Sequence, residues 1–380
     1  MDTELTPDQQ RAQAGFQAFV DGQIAPFADA FDQAERLPAE LIAAMGKAGY
    51  LGALVPQRYG GGAFDMITYG LLAEELGRGS SSVNALLTVH SMCSFALARW
   101  SGPAHQERWL PRLATGQLIG AFALTEPEAG SDAGSVATSA VLDGDHYRLN
   151  GTKRWITFGQ LADLFLVFGK IGTQKAIFFV ERGAPGLTVT PISGMLGSRA
   201  SMLAELRFED CRIPAEDAIT KAGFGFSSLL ASVLHVGRYT VAWNCVGIGQ
   251  ACLEASLAYA SQRKQFGVLL KDHQLIQQMI ADMRTNLSAA RLLCYRAGHL
   301  TDRNDPRMIM ETMVAKYFAS TMVNRAAYDA VQIHGANGCS DAFPVQRYLR
   351  DARIMEIIEG SSQVQQIAIA ADSFRLAGSR

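Results

Sequence analysis

The feature that most constrains this chain is a change of hydrophobic period. Apolar residues recur every three to four positions up to about residue 116, fall into short β-branched and aromatic runs from about 120 to 214, and return to the helical period from Ser227 onward. A stripe with a period of 3.6 cannot lie flat as a strand, nor an alternating run as a helix, so the order is helices, then strands, then helices, an α+β fold. In the first part, Thr6-Pro7-Asp8-Gln9 has the form of a capped helix start. Leu37, Leu41, Ile42 and Met45 line one face before Gly49; Met66, Tyr69, Leu72 and Leu76 line another, with Gly77 expected to end that helix. In the middle, 165–168, 176–180, 187–192 and 203–208 are expected strands, and Asp143-Gly144 is a hairpin signal. They predict a β-sandwich or barrel of about 110 residues, closing near Pro214. In the last part, Leu275, Ile276, Met279, Ile280, Met283 and Leu287 make one stripe, and Asp305-Pro306 starts a helix that runs to the glycine-rich 334–338. The expected domains are 1–118, 119–226 and 227–380, the last a four-helix bundle.

Lys and Arg (34) nearly balance Asp and Glu (36), so a formal charge of −2 provides no broad attraction for nucleic acid or an anionic membrane. The amino terminus lacks a basic segment followed by an apolar one, and no apolar stretch reaches membrane-spanning length, which makes the cytoplasm the expected compartment. Six cysteines without regular spacing are expected to be buried thiols in a reducing compartment. There is no dinucleotide fingerprint between a strand and a helix; Gly247-Ile248-Gly249 lies in a helical pattern, where it serves close packing. Phosphate-loop, zinc-protease and nucleophile-elbow motifs are also absent, and the seven histidines lack metal-ligand spacing, so no metal is expected.

Four segments dense in polar, glycine and aromatic residues remain: 121–132, 150–157, 263–267 and 332–363. They fall where one domain passes into another or a helix ends, places that host sites. Thr125-Glu126-Pro127 followed by Gly130-Ser131-Asp132 is a turn that exposes N–H groups and hydroxyls, suited to a polar ligand edge, although an ordinary turn has the same composition. Glu359 follows the apolar run 354–358 and precedes Gly360-Ser361-Ser362, which puts its carboxylate at a packed helix end. In a cavity it would have a raised pKa and act as a base; on a surface it would be an ordinary helix-end glutamate.

Together, in this order and at these separations over nearly the whole chain, the segments resemble the acyl-CoA dehydrogenase family. The resemblance implies an amino-terminal helical domain, a middle β-domain, a carboxy-terminal four-helix domain, and FAD. It implies that Phe122, Leu124, Thr125, Ser131, Trp155 and Thr157 line the isoalloxazine. Arg263, Gln265 and Phe266 match a segment that reaches the FAD diphosphate of a neighbouring subunit, and Gln332, Gly335 and Gly338 match its glycine-rich partner. A homodimer or homotetramer follows. Ser361 and Gln363 would complete the flavin contacts beside Glu359, the implied base, while hydride passes from the β-carbon to flavin N5. Ser131, His235, Arg238, Ile358 and Gly360 would face the acyl or pantetheine side. The implied electron acceptor is an electron-transfer flavoprotein or another carrier.

This chain departs from many members, which have aspartate at His235, asparagine at Phe158 and tyrosine at Ile358. With His90 and the 196–201 run, the Glu359 segment is closer to members that oxidise acyl-carrier-protein thioesters in polyketide pathways, including those that make a malonyl-type extender unit from a hydroxyacyl carrier. A flavin oxidase or monooxygenase on the same fold, and a non-catalytic scaffold, are the other readings; the presence of Glu359, Thr125, Trp155, Thr157 and Arg263 argues against the last.

Overall fold

The computed structural model describes residues 4–219 and 226–378. Six helices come first: α1 (Pro7–Gln23), α2 (Ala28–Ala34), α3 (Ala39–Lys47), α4 (Met66–Gly79), α5 (Ser81–Trp100) and α6 (Pro103–Ala114). The Thr6 side chain accepts from the Gln9 N–H while the Gln9 side chain accepts from the Thr6 N–H, so two orphan donors at the start of α1 are satisfied. Leu37 is buried but precedes α3. Gly77 does not end α4, which continues to Gly79. A Cβ at residue 77 would lie 2.6 Å from Asn244 Oδ1, so this glycine serves close helix contact rather than termination.

The middle of the chain forms β1 (Gly120–Ala123), β2 (Ser139–Asp143), β3 (His146–Ile156), β4 (Leu164–Ile171), β5 (Gln174–Glu181), β6 (Leu187–Pro191) and β7 (Ala204–Pro214). They make one mixed sheet in the order β1-β4-β2-β3-β7-β6, with β5 antiparallel to β4. The hairpin forms as expected, with Asp143 opposite His146. β4 pairs with three strands, parallel to β1 over 164–167 and to β2 at 170–171, and antiparallel to β5 along its whole length. Its continuous apolar run has a physical reason. Leu164, Leu166 and Phe168 pack against Met92, Leu97 and Trp109 of the helices, while Phe165 and Val167 face the inner core with Leu149, Leu206 and Phe178, so both faces are buried.

The last part begins with α7 (Phe226–Ala260), then a short hairpin, β8 (Lys264–Gln265) and β9 (Val268–Leu269), and continues through α8 (Gln274–Asp302), α9 (Met308–His334), α10 (Val345–Met355) and α11 (Ser362–Gly378). The expected four helices are accompanied by the short α10. α7 is the central post, buried against α4, α5, α8 and α9. At Gly247 a Cβ would fall on the Glu74 carbonyl oxygen, which accounts for glycine inside a helix. The α8 stripe is only half covered: Met283 and Leu287 are buried, but Leu275 is 72% exposed. α5 has the length and apolar composition to cross a membrane, against expectation; 83% of its most apolar 18-residue stretch is buried inside the fold, as a core helix is. Five of the six free cysteines are buried and Cys339 is exposed.

Candidate active site

Glu359 lies in the turn between α10 and α11, in the left-handed region at φ 53°, followed by Gly360 at φ 89°. A non-glycine residue there is strained and needs its surroundings to hold it. Arg238 Nε of α7 donates to the Glu359 carbonyl at 3.1 Å, and the Gly360 carbonyl accepts from Gln365 Nε2 and Lys316 Nζ, each at 2.9 Å. The Glu359 N–H pairs with no backbone carbonyl among the described residues. The carboxyl turns inward: a Cβ at Gly237 would collide with Glu359 Oε2 and lie 2.7 Å from Met92 Sδ. Glu359 Oε2 is buried and has no hydrogen-bond partner among the described residues. Burial pushes this carboxyl up to about 7, against the pull of Arg238 and Lys316, which favour the charged form.

A groove of about 250 Å³ lies next to this turn, sharing Arg238 with it. One wall is Ala133 and Gly134, just after Ser131, with Lys175 of β5; the other is the start of α7, from Phe226 through Leu230 and Leu234 to Arg238. The same wall thus includes the arginine that holds the Glu359 carbonyl.

The segments from β1 and β3 meet beside each other. The Arg154 N–H donates to the Thr125 carbonyl at 2.9 Å, which sets the Thr125 turn alongside Trp155 and Thr157. Phe122 stands edge-on to Phe168 at 5.0 Å, Leu124 is buried, and Thr125 and Thr157 are half-buried. Trp155 adopts φ 61° and is 45% exposed, with the Arg154 guanidinium 4.9 Å from the centre of its indole. Ser131 is exposed. Beneath them is a buried pair: Lys153 Nζ donates to the Leu124 carbonyl at 2.9 Å and to Glu126 Oε1 at 2.6 Å. Glu126 also accepts from the N–H groups of Ala137 and Thr138 and from the Thr138 hydroxyl. Burial alone would raise the Glu126 carboxyl, but these donors hold it below its ordinary value, while burial lowers Lys153 to about 8. Glu126 is therefore a brace within the turn, not a ligand group.

Arg263, Gln265 and Phe266 lie on or beside the β8–β9 hairpin, all exposed, with Phe266 95% so and at φ 52°. The neighbouring end of α9 carries exposed Gln332 and Gly335, at φ 60°, while Gly338 is buried. Tyr259 joins the two segments, stacked on His334 at 4.3 Å and accepting from Asn337 Nδ2 at 2.8 Å. Ser361 Oγ caps α11 by accepting from the Val364 N–H at 3.4 Å, Gln363 is exposed in its first turn, and Ile358 is partly covered.

His235 is buried and turns towards α8 rather than the groove. Its Nε2 lies 3.0 Å from Thr301 Oγ1, whose own proton goes to the Ala297 carbonyl, so Nε2 is the donor and Nδ1 is left without a proton or partner. Burial and Arg238 lower its pKa to about 4, which keeps it neutral. His90 is wholly buried, bonded to the Leu113 carbonyl and the Gly120 N–H, and ties α5 to β1. Reading the sequence missed Lys316, Lys153 and Gly237. For Lys316 a signal was present, because a lysine at the helical spacing of the apolar Met313, Val323 and Ala327 must face the core.

These residues fit FAD and an acyl thioester: a partly exposed indole beside two threonines, and a buried, unpartnered carboxyl whose neighbouring arginine lines a groove. The sequence matches the acyl-CoA dehydrogenase N-terminal domain over 6–117, the middle domain over 121–211 and the C-terminal domain over 223–374. It is 39% identical to a probable acyl-CoA dehydrogenase, YngJ, of Bacillus subtilis, over 97% of this chain and 99% of that one. Butyryl-CoA dehydrogenase from Megasphaera elsdenii superposes with a TM-score of 0.94 at 34% identity, covering 98% of this chain and 100% of that one. FkbI, for biosynthesis of the methoxymalonyl extender unit of the polyketide Fk520, superposes at 0.88 with 31% identity, over 94% and 99%.

Proposed function

The chain belongs to the acyl-CoA dehydrogenase family, FAD-dependent oxidoreductases of acyl thioesters, and from that premise we propose that Glu359 is the base that takes the α-proton of the thioester. The observation that carries this is the Glu359 carboxyl itself, buried at Oε2 without a partner, with a pKa near 7 and a neighbouring arginine that lines a groove. A general base works best with a pKa near the working pH, and an empty acceptor is ready for a proton. An acyl α-proton is too weakly acidic for a carboxylate unless the thioester oxygen is polarised, and the Glu359 N–H, which pairs with no backbone carbonyl among the described residues, would be a donor for that oxygen. FAD, when bound, supplies the acceptor for the β-hydride that no side chain here provides. The chain's own part is to hold and orient. Phe122, Leu124, Thr125, Ser131, Trp155 and Thr157 would hold the flavin ring, with Ser361 and Gln363 beside Glu359. Arg238, Ile358 and Gly360 would shape the acyl end.

The exposed Arg263, Gln265 and Phe266, with Gln332, Gly335 and Gly338, would reach the FAD of a second copy, which makes the working unit a homodimer or a pair of them. Exposed Leu275 and Phe374 would be covered there. The domain division at 1–118, 119–226 and 227–380, an electron-transfer flavoprotein as acceptor, and a cytoplasmic location belong to the same reading. A hydroxyacyl carrier protein is the second reading of the substrate, favoured by the likeness to FkbI. Anaerobic bleaching of the flavin by a panel of acyl-CoA and acyl-carrier-protein thioesters tests both. Bleaching by CoA esters alone excludes the carrier, and no bleaching by either class, with FAD bound, refutes the dehydrogenase reading of the site.

A further inference from the structure

Lys316, at the middle of α9, is fully buried, and its only hydrogen bond among the described residues is to a neutral group, the Gly360 carbonyl, at 2.9 Å. No carboxylate comes within ion-pairing distance of its Nζ among the described residues. A buried ammonium without a paired charge is costly, so stability alone would be better served by an apolar side chain at this position. What the ammonium does contact is the peptide immediately after the base. Arg238, from α7, takes the carbonyl one residue earlier, and its guanidinium passes close to Gly360, where a Cβ would lie 3.4 Å from Nη2. Two cations from two helices therefore hold consecutive carbonyls of a step in which both residues, Glu359 and Gly360, have positive φ.

We propose that Lys316 is a positioning residue for the reaction: by holding the Gly360 carbonyl it fixes the left-handed step that aims the Glu359 carboxylate, and it supplies a countercharge to that carboxylate. The proposal rests on Glu359 being the base. The charged groups acting on Glu359 are Arg238 of α7 and Lys316 of α9, while Gly237 of α7, with Met92 of α5 beside it, adds no charge. Lys316 in turn faces Cys245 of α7 and Glu356 after α10, and burial lowers its own pKa to about 8, so it is charged at neutral pH and begins to lose its proton just above. Gln365 still holds the Gly360 carbonyl when the lysine is removed, which leaves the turn a second donor.

The test is a direct titration of Glu359 in the FAD holoenzyme without substrate. The protonated carboxyl band is followed by infrared difference spectroscopy against pH and assigned by its loss in Glu359→Gln. Lys316→Met removes the charge and the donor, Lys316→Gln removes the charge with less change of polarity and replaces it where the methionine variant does not fold, and Lys316→Arg keeps the charge. In Lys316→Met or Lys316→Gln the Glu359 midpoint moves up by on the order of one pH unit, with FAD retained, and in Lys316→Arg it stays near the parent value. Flavin reduction by butyryl-CoA, where the parent is reduced by it, slows about fivefold at pH 7 in the uncharged variants, as the ionised share of the base falls from about a half to about a tenth. An unmoved midpoint overturns the proposal whatever happens to the rate. A parent that no thioester reduces would instead count against the proposed function, and the substrate-free titration would still decide the role of Lys316.

Discussion

At the scale of the residue, Glu359 combines burial, two nearby cations and a strained backbone, and each has a measurable consequence. Replacing it with glutamine leaves FAD bound, because none of the groups proposed to hold the flavin is touched, but lowers the rate of flavin reduction by about 100-fold or more, the usual contribution of a positioned base. In the parent, reduction rises with pH through about 7, where the free enzyme's carboxyl ionises, and a rate flat between pH 5 and 8 would contradict the assignment. The same shift predicts a change in stability. The carboxyl titrates near 7 when folded and near its ordinary 4.5 when unfolded, so burying it as an anion opposes folding. That cost is full above pH 7, shrinks as pH falls through 7 and is gone below about 4.5. Glu359→Gln accordingly melts at a higher temperature than the parent at pH 8 and at nearly the same temperature at pH 4.5, as calorimetry can show.

At the scale of the element, α7 has two jobs that its glycines make visible. Gly247 lets α4 approach so closely that an alanine would press on the Glu74 carbonyl; Gly247→Ala should lower stability by about 1–3 kcal/mol in denaturant titration without changing the pH profile of reduction. Gly237 instead faces the carboxyl of Glu359, so Gly237→Ala should spare FAD binding and cost reduction, since the methyl group displaces the base. The contrast separates packing from chemistry along one helix. β4 teaches a related lesson: its unbroken apolar run was recognisable as a strand, and the absence of alternation reports burial on both faces. The role of Gly77 was not legible, because a glycine near a helix end has the same local signature whether it terminates the helix or admits a neighbour.

At the scale of the whole molecule, the proposed site is divided between copies. If Arg263 serves the partner's FAD, Arg263→Ala should lose flavin on dilution, because a charge-assisted contact to the diphosphate is missing. Co-expression of Arg263→Ala chains with Glu359→Gln chains should then restore activity. In a mixed dimer one site carries both defects and the other neither, so random pairing leaves ~1/4 of the sites intact. No restoration in a mixture that does form mixed dimers would place Arg263 at its own chain's site.

By itself the sequence was enough for the three-part order, the hairpin, the helix stripes and the candidate segments, because each depends on residues within a few turns of one another, where period, capping and turn chemistry are local. Its neighbours marked Glu359 as a candidate but left a buried base and an ordinary helix-end glutamate both open, and only the family resemblance favoured the base. What only the tertiary structure decided was how distant residues meet: that Arg238 and Lys316, on different helices, take consecutive carbonyls after α10; that His235 turns to Thr301; and that Glu126 is consumed by Lys153 and two backbone donors. The Lys153, Lys316, His235 and Arg238 contacts join positions 27, 44, 66 and 121 residues apart. Burial, charge pairing and the raised pKa of a base are properties of what surrounds a group, and surroundings exist only once the chain has folded.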